Sequence, residues 1–280
     1  MGTATITQPQ VQPQPDLVAV KGRQQIAWST GDYAVVGATL AITSELLCEA
    51  VDLRANQRVL DVATGSGNAA IAAARRWCDV TGTDYVPSLL ERARERATTE
   101  HLAVTFQEGD AEAIAFPDAS FDVVLSTFGV MFAPNQEKAA HELLRVCKPG
   151  GKIGLVNWTP DGYIGQMFRV IGKYVPPAAG LKSPTLWGTE ARLRELFGDG
   201  ITSLQITKRN FVFRYRSAAH WLEVFRTYYG PMQKAFAALD TTKQAEMARD
   251  LTDLLLKFNH SGDATLAAPS EYLEIVASKR

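Results

Sequence analysis

Cysteine is scarce in this 280-residue chain: Cys48, Cys78 and Cys147 are an odd number and lie far apart, with no CxxC pair. A disulfide framework or a zinc ribbon is therefore excluded, and three small buried hydrophobes in a reducing compartment are expected. Histidine is equally sparse. His101, His141, His220 and His260 form no HExxH or other paired spacing, so no dedicated metal site is expected. Charge of one sign is missing too. Lys and Arg number 29 against 30 Asp and Glu, a formal net charge of −1. Binding nucleic acid mainly through its phosphates needs a basic surplus that this chain lacks. No apolar run reads as approaching the ~18 residues of a membrane span. The start of the chain has neither a basic-then-apolar leader nor a lipidation signal, since position 6 is Ile. A cytoplasmic location without a membrane span is the expectation.

What is present is an ordinary globular composition, 46% hydrophobic and 21% charged, enough for a sizeable core. Residues 1–16 are rich in Gln, Pro and Thr and read as a disordered tail. Residues 17–57 read as an N-terminal helical cover, with a helical pattern from about Val35. Residues 58–158 alternate between short apolar runs and helical segments. Strands are expected over 58–63, 79–84, 104–108, 121–126 and 152–158, and helices over 68–76, 87–97 and 135–147. That rhythm predicts βαβ units and a parallel sheet covered on both faces. Residues 159–280 break the rhythm. They are expected to complete the sheet with strands at 203–213 and 272–278 and to insert a helical cap, with helices at 190–197, 218–229 and 231–258.

The strongest local signal is Asp61-Val62-Ala63-Thr64-Gly65-Ser66-Gly67, where a buried strand runs into a glycine turn that opens a helix. Such a turn lets a ligand approach the backbone and offers it free N–H groups. Asp84 closes the second strand, where a carboxylate can accept bonds from ribose hydroxyls. Gly109-Asp110-Ala111 follows the third strand. Gly65, Gly67 and Ala70 also satisfy a relaxed dinucleotide fingerprint, so a nicotinamide-dependent oxidoreductase stays open. Three acids on one rim (Asp61, Asp84, Asp110) suit an amine, a ribose and an adenine amine better than two phosphates.

With the runs 59–67, 80–84, 109–113, 116–122 and Leu144-Arg145-Val146-Cys147-Lys148-Pro149-Gly150-Gly151 taken in order, residues 35–158 resemble the class I S-adenosylmethionine-dependent methyltransferases. The likeness is strongest to the subgroup of menaquinone- and ubiquinone-biosynthesis methyltransferases. The resemblance implies a Rossmann-like α/β fold with a seven-stranded mixed sheet and S-adenosylmethionine as methyl donor. It implies that Asp61, Gly65 and Gly67 hold the methionine end, that Asp84 takes the ribose and that Tyr85 packs on the adenine. Asp110 and the backbone of Ala111 would read the adenine edge, and Ser126, Thr127 and Phe128 would line the sulfonium. Ala63 stands where many members carry the first loop glycine, and is expected to keep a right-handed backbone.

Trp28, Tyr33, Asn157, Trp158 and Trp187 are candidate residues toward a small, apolar or aromatic methyl acceptor. Residues 17–33 are expected to be mobile and to order over the rim on binding. A non-catalytic S-adenosylmethionine-binding protein is the other open class. The sequence specifies neither the acceptor atom nor the oligomeric state.

Overall fold

The computed structural model describes residues 15–280; the expected tail, 1–16, lies almost wholly outside them. Helices α1 (Leu17–Trp28), α2 (Tyr33–Gly37) and α3 (Ala41–Ala50) come first. The core then alternates β1 (Arg58–Val62), α4 (Asn68–Ala74), β2 (Asp79–Asp84), α5 (Pro87–Thr99) and β3 (Val104–Glu108). It continues with β4 (Phe121–Thr127), α6 (Gln136–Val146) and β5 (Cys147–Trp158). The remainder holds α7 (Tyr163–Tyr174), α8 (Glu190–Phe197), β6 (Ile201–Tyr215), α9 (Ala218–Tyr228), α10 (Gly230–Ala237), α11 (Thr241–Phe258) and β7 (Leu266–Lys279).

The seven strands form one mixed sheet in the order β3-β2-β1-β4-β5-β7-β6. The first five are parallel, and β7 pairs antiparallel with both β5 and β6. Strand order reverses between β1 and β4, and open α/β sheets leave a crevice at the carboxyl ends of strands flanking such a point. β1 is buried from Val59 onward because helices cover both faces, which is why it reads as an unbroken apolar run. Asp122 accepts the N–H of Arg58 and the ammonium of Lys148, tying β4 to its neighbours, a structural role.

Three departures from the sequence reading have local causes. The expected helix 231–258 is two helices, because Asp240 caps a new one by accepting the N–H of Lys243. β7 extends back to Leu266 through Pro269. β5 ends at Trp158 opposite Tyr272, so one side of Pro269 carries no ladder and its missing N–H leaves nothing unpaired. The span 33–50 is long and apolar enough, by length and composition, to cross a membrane. Here it is broken by a 3-10 turn at Ala38–Leu40 and buries Val36, Leu40, Leu47 and Cys48 in the core. All three cysteines are buried and free.

Candidate functional site

The loop from β1 to α4 is held from several sides. Thr64 N–H donates to the carbonyl of Thr83 at 2.9 Å, and Arg96 Nη1 donates to the carbonyl of Ser66 at 2.5 Å. Gly65 (φ 55°) and Gly67 (φ 86°) both take left-handed backbone. A Cβ on Gly67 would sit 3.1 Å from Ala93 and 3.2 Å from Phe106, so glycine lets α4 pack close to α5 and β3. Ala63 corrects the sequence reading. Its φ is +53°, left-handed, because the chain must turn sharply at the end of β1. A left-handed alanine costs ~1–2 kcal/mol, partly offset by the lower entropy of the unfolded chain. Ala63→Gly should therefore raise stability by about 0.5–1 kcal/mol in denaturant titrations; a clear loss would show that the alanine methyl contributes packing that outweighs the strain.

Asp61 is turned behind the loop, away from the crevice. It is 1% exposed, and one carboxylate oxygen accepts the Thr64 hydroxyl at 2.5 Å and the Ala70 N–H at 2.9 Å. It clamps the loop from behind, while its other oxygen is buried without a partner. Burial pushes its pKa up to about 7, against the lowering effect of those two bonds. Asp84 faces the crevice from the end of β2 and accepts the N–H groups of Gly65 and Val86, each at 2.9 Å. Burial pushes it up to about 6.

Both carboxyls thus bind protons more tightly in the folded chain than in the unfolded one. Their contribution to stability is fully present below pH ~4 and is lost as pH rises through 6 and 7. Other carboxylates titrate the opposite way, so the informative quantity is the stability difference between the wild type and Asp61→Asn. The wild type should lose ground to the variant from pH 4 to 7, with a slope of up to roughly 1.4 kcal/mol per pH unit. A flat difference would mean that Asp61 titrates normally.

A cavity opens along this rim, about 880 Å³ counting the part open to solvent. Its lining includes Ala63, Thr64, Gly65, Ser66, Asp84, Tyr85, Asp110, Ala111, Thr127 and Phe128, together with Lys21, Trp28, Tyr33, Glu112 and Phe132. A second, smaller cavity adjoins it, about 370 Å³ counting the part open to solvent. The two share Trp28, Tyr33, Leu40, Phe128 and Phe132, which form their common border. Val36, Trp158, Ile164, Met167, Phe168, Phe213, Phe225 and Tyr229 complete the second.

Among the described residues lining this chamber there is no carboxylate, imidazole or ammonium. Its only ionisable groups are Tyr33 and Tyr229. Burial, with the Asp84 charge adding to it, pushes the Tyr33 hydroxyl up to about 12; burial raises Tyr229 further. Phe128 holds left-handed backbone (φ 54°), and its ring stacks on Trp158 at 3.9 Å. Such backbone is rare for a bulky residue and concentrates at functional sites.

Besides Asp61, four expected site residues line neither cavity. Gly67 serves helix packing. Ser126 is buried, donating to the carbonyl of Val62 and accepting the N–H of Val130. Asn157 and Trp187 are fully buried on the other face of the sheet, where the Asn157 amide donates to the carbonyl of Trp187. Successive strand residues point to opposite faces, so only one of Asn157 and Trp158 can reach the chamber. Lys21, Leu40, Glu112 and Phe132 line the site without having been singled out. Lys21 and Phe132 lie outside regular motifs. Glu112 falls inside the 109–113 run, two residues from Asp110. Among the described residues no group of three or more His, Cys, Asp or Glu could hold a metal ion.

Residues 60–155 match the family described as Methyltransferase domain. The uncharacterized protein Rv1405c of Mycobacterium tuberculosis is 39% identical over 258 residues, covering 90% of this chain and 93% of that one. A demethylmenaquinone methyltransferase of Thermus thermophilus is 40% identical over 138 residues, 47% of this chain and 63% of that protein. The crystal structure of the YcgJ protein from Bacillus subtilis superposes with a TM-score of 0.60 at 23% identity, over 85% of this chain and 98% of that one, a likeness of fold.

Proposed function

The chain belongs to the class I S-adenosylmethionine-dependent methyltransferases, and from that membership we propose that it methylates a small, neutral, largely apolar or aromatic acceptor bound in the aromatic chamber. The observation that carries the proposal is the shared border, which we read as an opening: five residues line both the polar-rimmed cavity and a chamber walled by rings. In this reading the larger cavity takes the methyl donor. Asp84 accepts the ribose hydroxyls, Tyr85 packs on the adenine, and Asp110 with the backbone of Ala111 reads the adenine edge. The methionine end lies along Ala63–Gly65 and Thr127. The bound donor supplies a methyl group on a positively charged sulfur.

The chain's own contribution is to bring that sulfur to the opening and to exclude water. The new bond forms between the acceptor atom and the methyl carbon as the sulfur takes back the bonding pair. The charge on sulfur disappears in the reaction, so a dry setting and a held in-line geometry favour it. A ring face of Trp28 or Tyr33 turned toward the sulfur would stabilise its positive charge by roughly 0.5–2 kcal/mol. The absence of a base among the chamber residues favours an acceptor that needs none, such as a neutral amine.

An acceptor panel graded by charge and size, read out as S-adenosylhomocysteine release, tests the proposal. Turnover should concentrate on neutral aromatic or apolar compounds. Turnover confined to strongly anionic or dicationic acceptors would overturn it.

A further inference from the structure

α1 has an unusual attachment. Val20 is its only buried residue, while Val18 and Ile26 stand exposed on its outer side. Its C-terminal end is pinned by close backbone packing. A Cβ on Gly230 would lie 1.9 Å from the Ala27 carbonyl oxygen, and one on Gly31 would lie 2.7 Å from that of Tyr228. Glycine at both places lets the two chains touch, which makes this end a fixed pivot.

The rest of the helix is held down by polar bonds to the rim of the larger cavity. Lys21 Nζ reaches Asp110 at 2.6 Å and Glu112 at 2.7 Å, and the Gln25 amide donates to the carbonyl of Tyr85 at 2.5 Å. The two acids are themselves fixed. Asp110 accepts the N–H of Glu112 at 2.9 Å, and Glu112, 6% exposed at its side chain, accepts the N–H of Asn135 at 2.8 Å. One ammonium thus bridges two carboxylates that border the same cavity, from the part of α1 before its Trp28 anchor, where Val20 is the one buried side chain.

We propose that Lys21 is a positioning residue of the donor site, which closes α1 over its adenosine end by bridging Asp110 and Glu112, and that breaking this bridge is a step in the release of S-adenosylhomocysteine. The inference rests on reading the larger cavity as the donor site. The bridge sets the directions of the Asp110 and Glu112 carboxylates toward a bound purine. It also sets a barrier to exit, because ahead of Trp28 only Val20 adds buried apolar contact to hold the helix down. A partly exposed pair contributes modestly, but one ammonium shared by two fixed carboxylates contributes more than an isolated pair.

The test uses the full chain, Lys21→Met (a similar stem without charge), and Lys21→Arg. Stopped-flow displacement of S-adenosylhomocysteine should show dissociation roughly three- to tenfold faster in Lys21→Met, with Lys21→Arg close to the wild type. Raising the salt concentration should speed the wild type toward the variant and leave the variant unchanged. Hydrogen exchange without ligand should show lower protection over residues 17–28 in Lys21→Met while β1 and β4 keep theirs. If the wild type binds S-adenosylhomocysteine and Lys21→Met releases it at the same rate, the latch is overturned while the donor site stands. If the wild type binds none, the reading of the cavity fails, and the exchange data still report whether Lys21 holds the helix.

Discussion

Asp84→Ala should weaken S-adenosylhomocysteine binding by about a hundredfold. In the proposed pose the carboxylate accepts two ribose hydroxyls, and hydrogen bonds to a charged group contribute roughly 1.5–3 kcal/mol each. The same carboxylate already accepts the N–H groups of Gly65 and Val86. Removing it therefore also frees the glycine loop and leaves two amide donors unpaired, a second cost of about 1–3 kcal/mol that falls on stability. Asp84→Glu, which keeps the charge but moves it, should fall between the two. Titration at a temperature well below each variant's unfolding midpoint separates the effects. Affinity within threefold of the wild type, in a folded Asp84→Ala, would mean that the ribose lies elsewhere. For the wild type, affinity should also fall as pH drops through 6, because a protonated Asp84 has one fewer oxygen able to accept.

Tyr33→Ala should lower the methyl-transfer rate by roughly ten- to a hundredfold, whereas Tyr33→Phe should stay within about threefold. The ring is the functional part. It borders both cavities, and its Cε1 lies 3.7 Å from where a Cβ on Gly65 would be, so it rests on the glycine loop. It also meets Trp28 edge-on at 5.4 Å between ring centres. Removing it admits water to the opening and deletes a π face near the sulfonium, worth roughly 0.5–2 kcal/mol for the latter alone. The hydroxyl, with its pKa pushed up to about 12, neither takes nor gives a proton at neutral pH. A large loss in Tyr33→Phe would assign the hydroxyl a role that this account denies it.

The parallel core was legible because its strands are buried on both faces and stand out as apolar runs between turn signals. Asp84, Tyr85, Asp110, Ala111, Thr127 and Phe128 could be placed on one rim for the same reason: the carboxyl ends of parallel strands share an edge. Orientation was harder to read. Asp61 occupies the expected place but points behind the loop, and Asn157 lost to Trp158 by strand parity. The left-handed backbone of Ala63 was signalled only by the glycine that many members of the resembled family carry there, since the alanine's strain is held in place by the surrounding bonds. The aromatic chamber was only a composition bias, because its walls come from α1, α2, α7, β6 and α9, far apart in the chain. Lys21 was invisible. Nothing in the pattern of 17–28 says which acids its ammonium will meet.

The most direct measurement of the central claim is a crystal structure of the chain with S-adenosylhomocysteine. The account predicts the ribose hydroxyls on the Asp84 carboxylate, the adenine beside Tyr85 and Asp110, and the sulfur at the opening framed by Trp28, Tyr33 and Phe128, facing the aromatic chamber. A purine seated in the chamber, or a sulfur turned away from that opening, would contradict it.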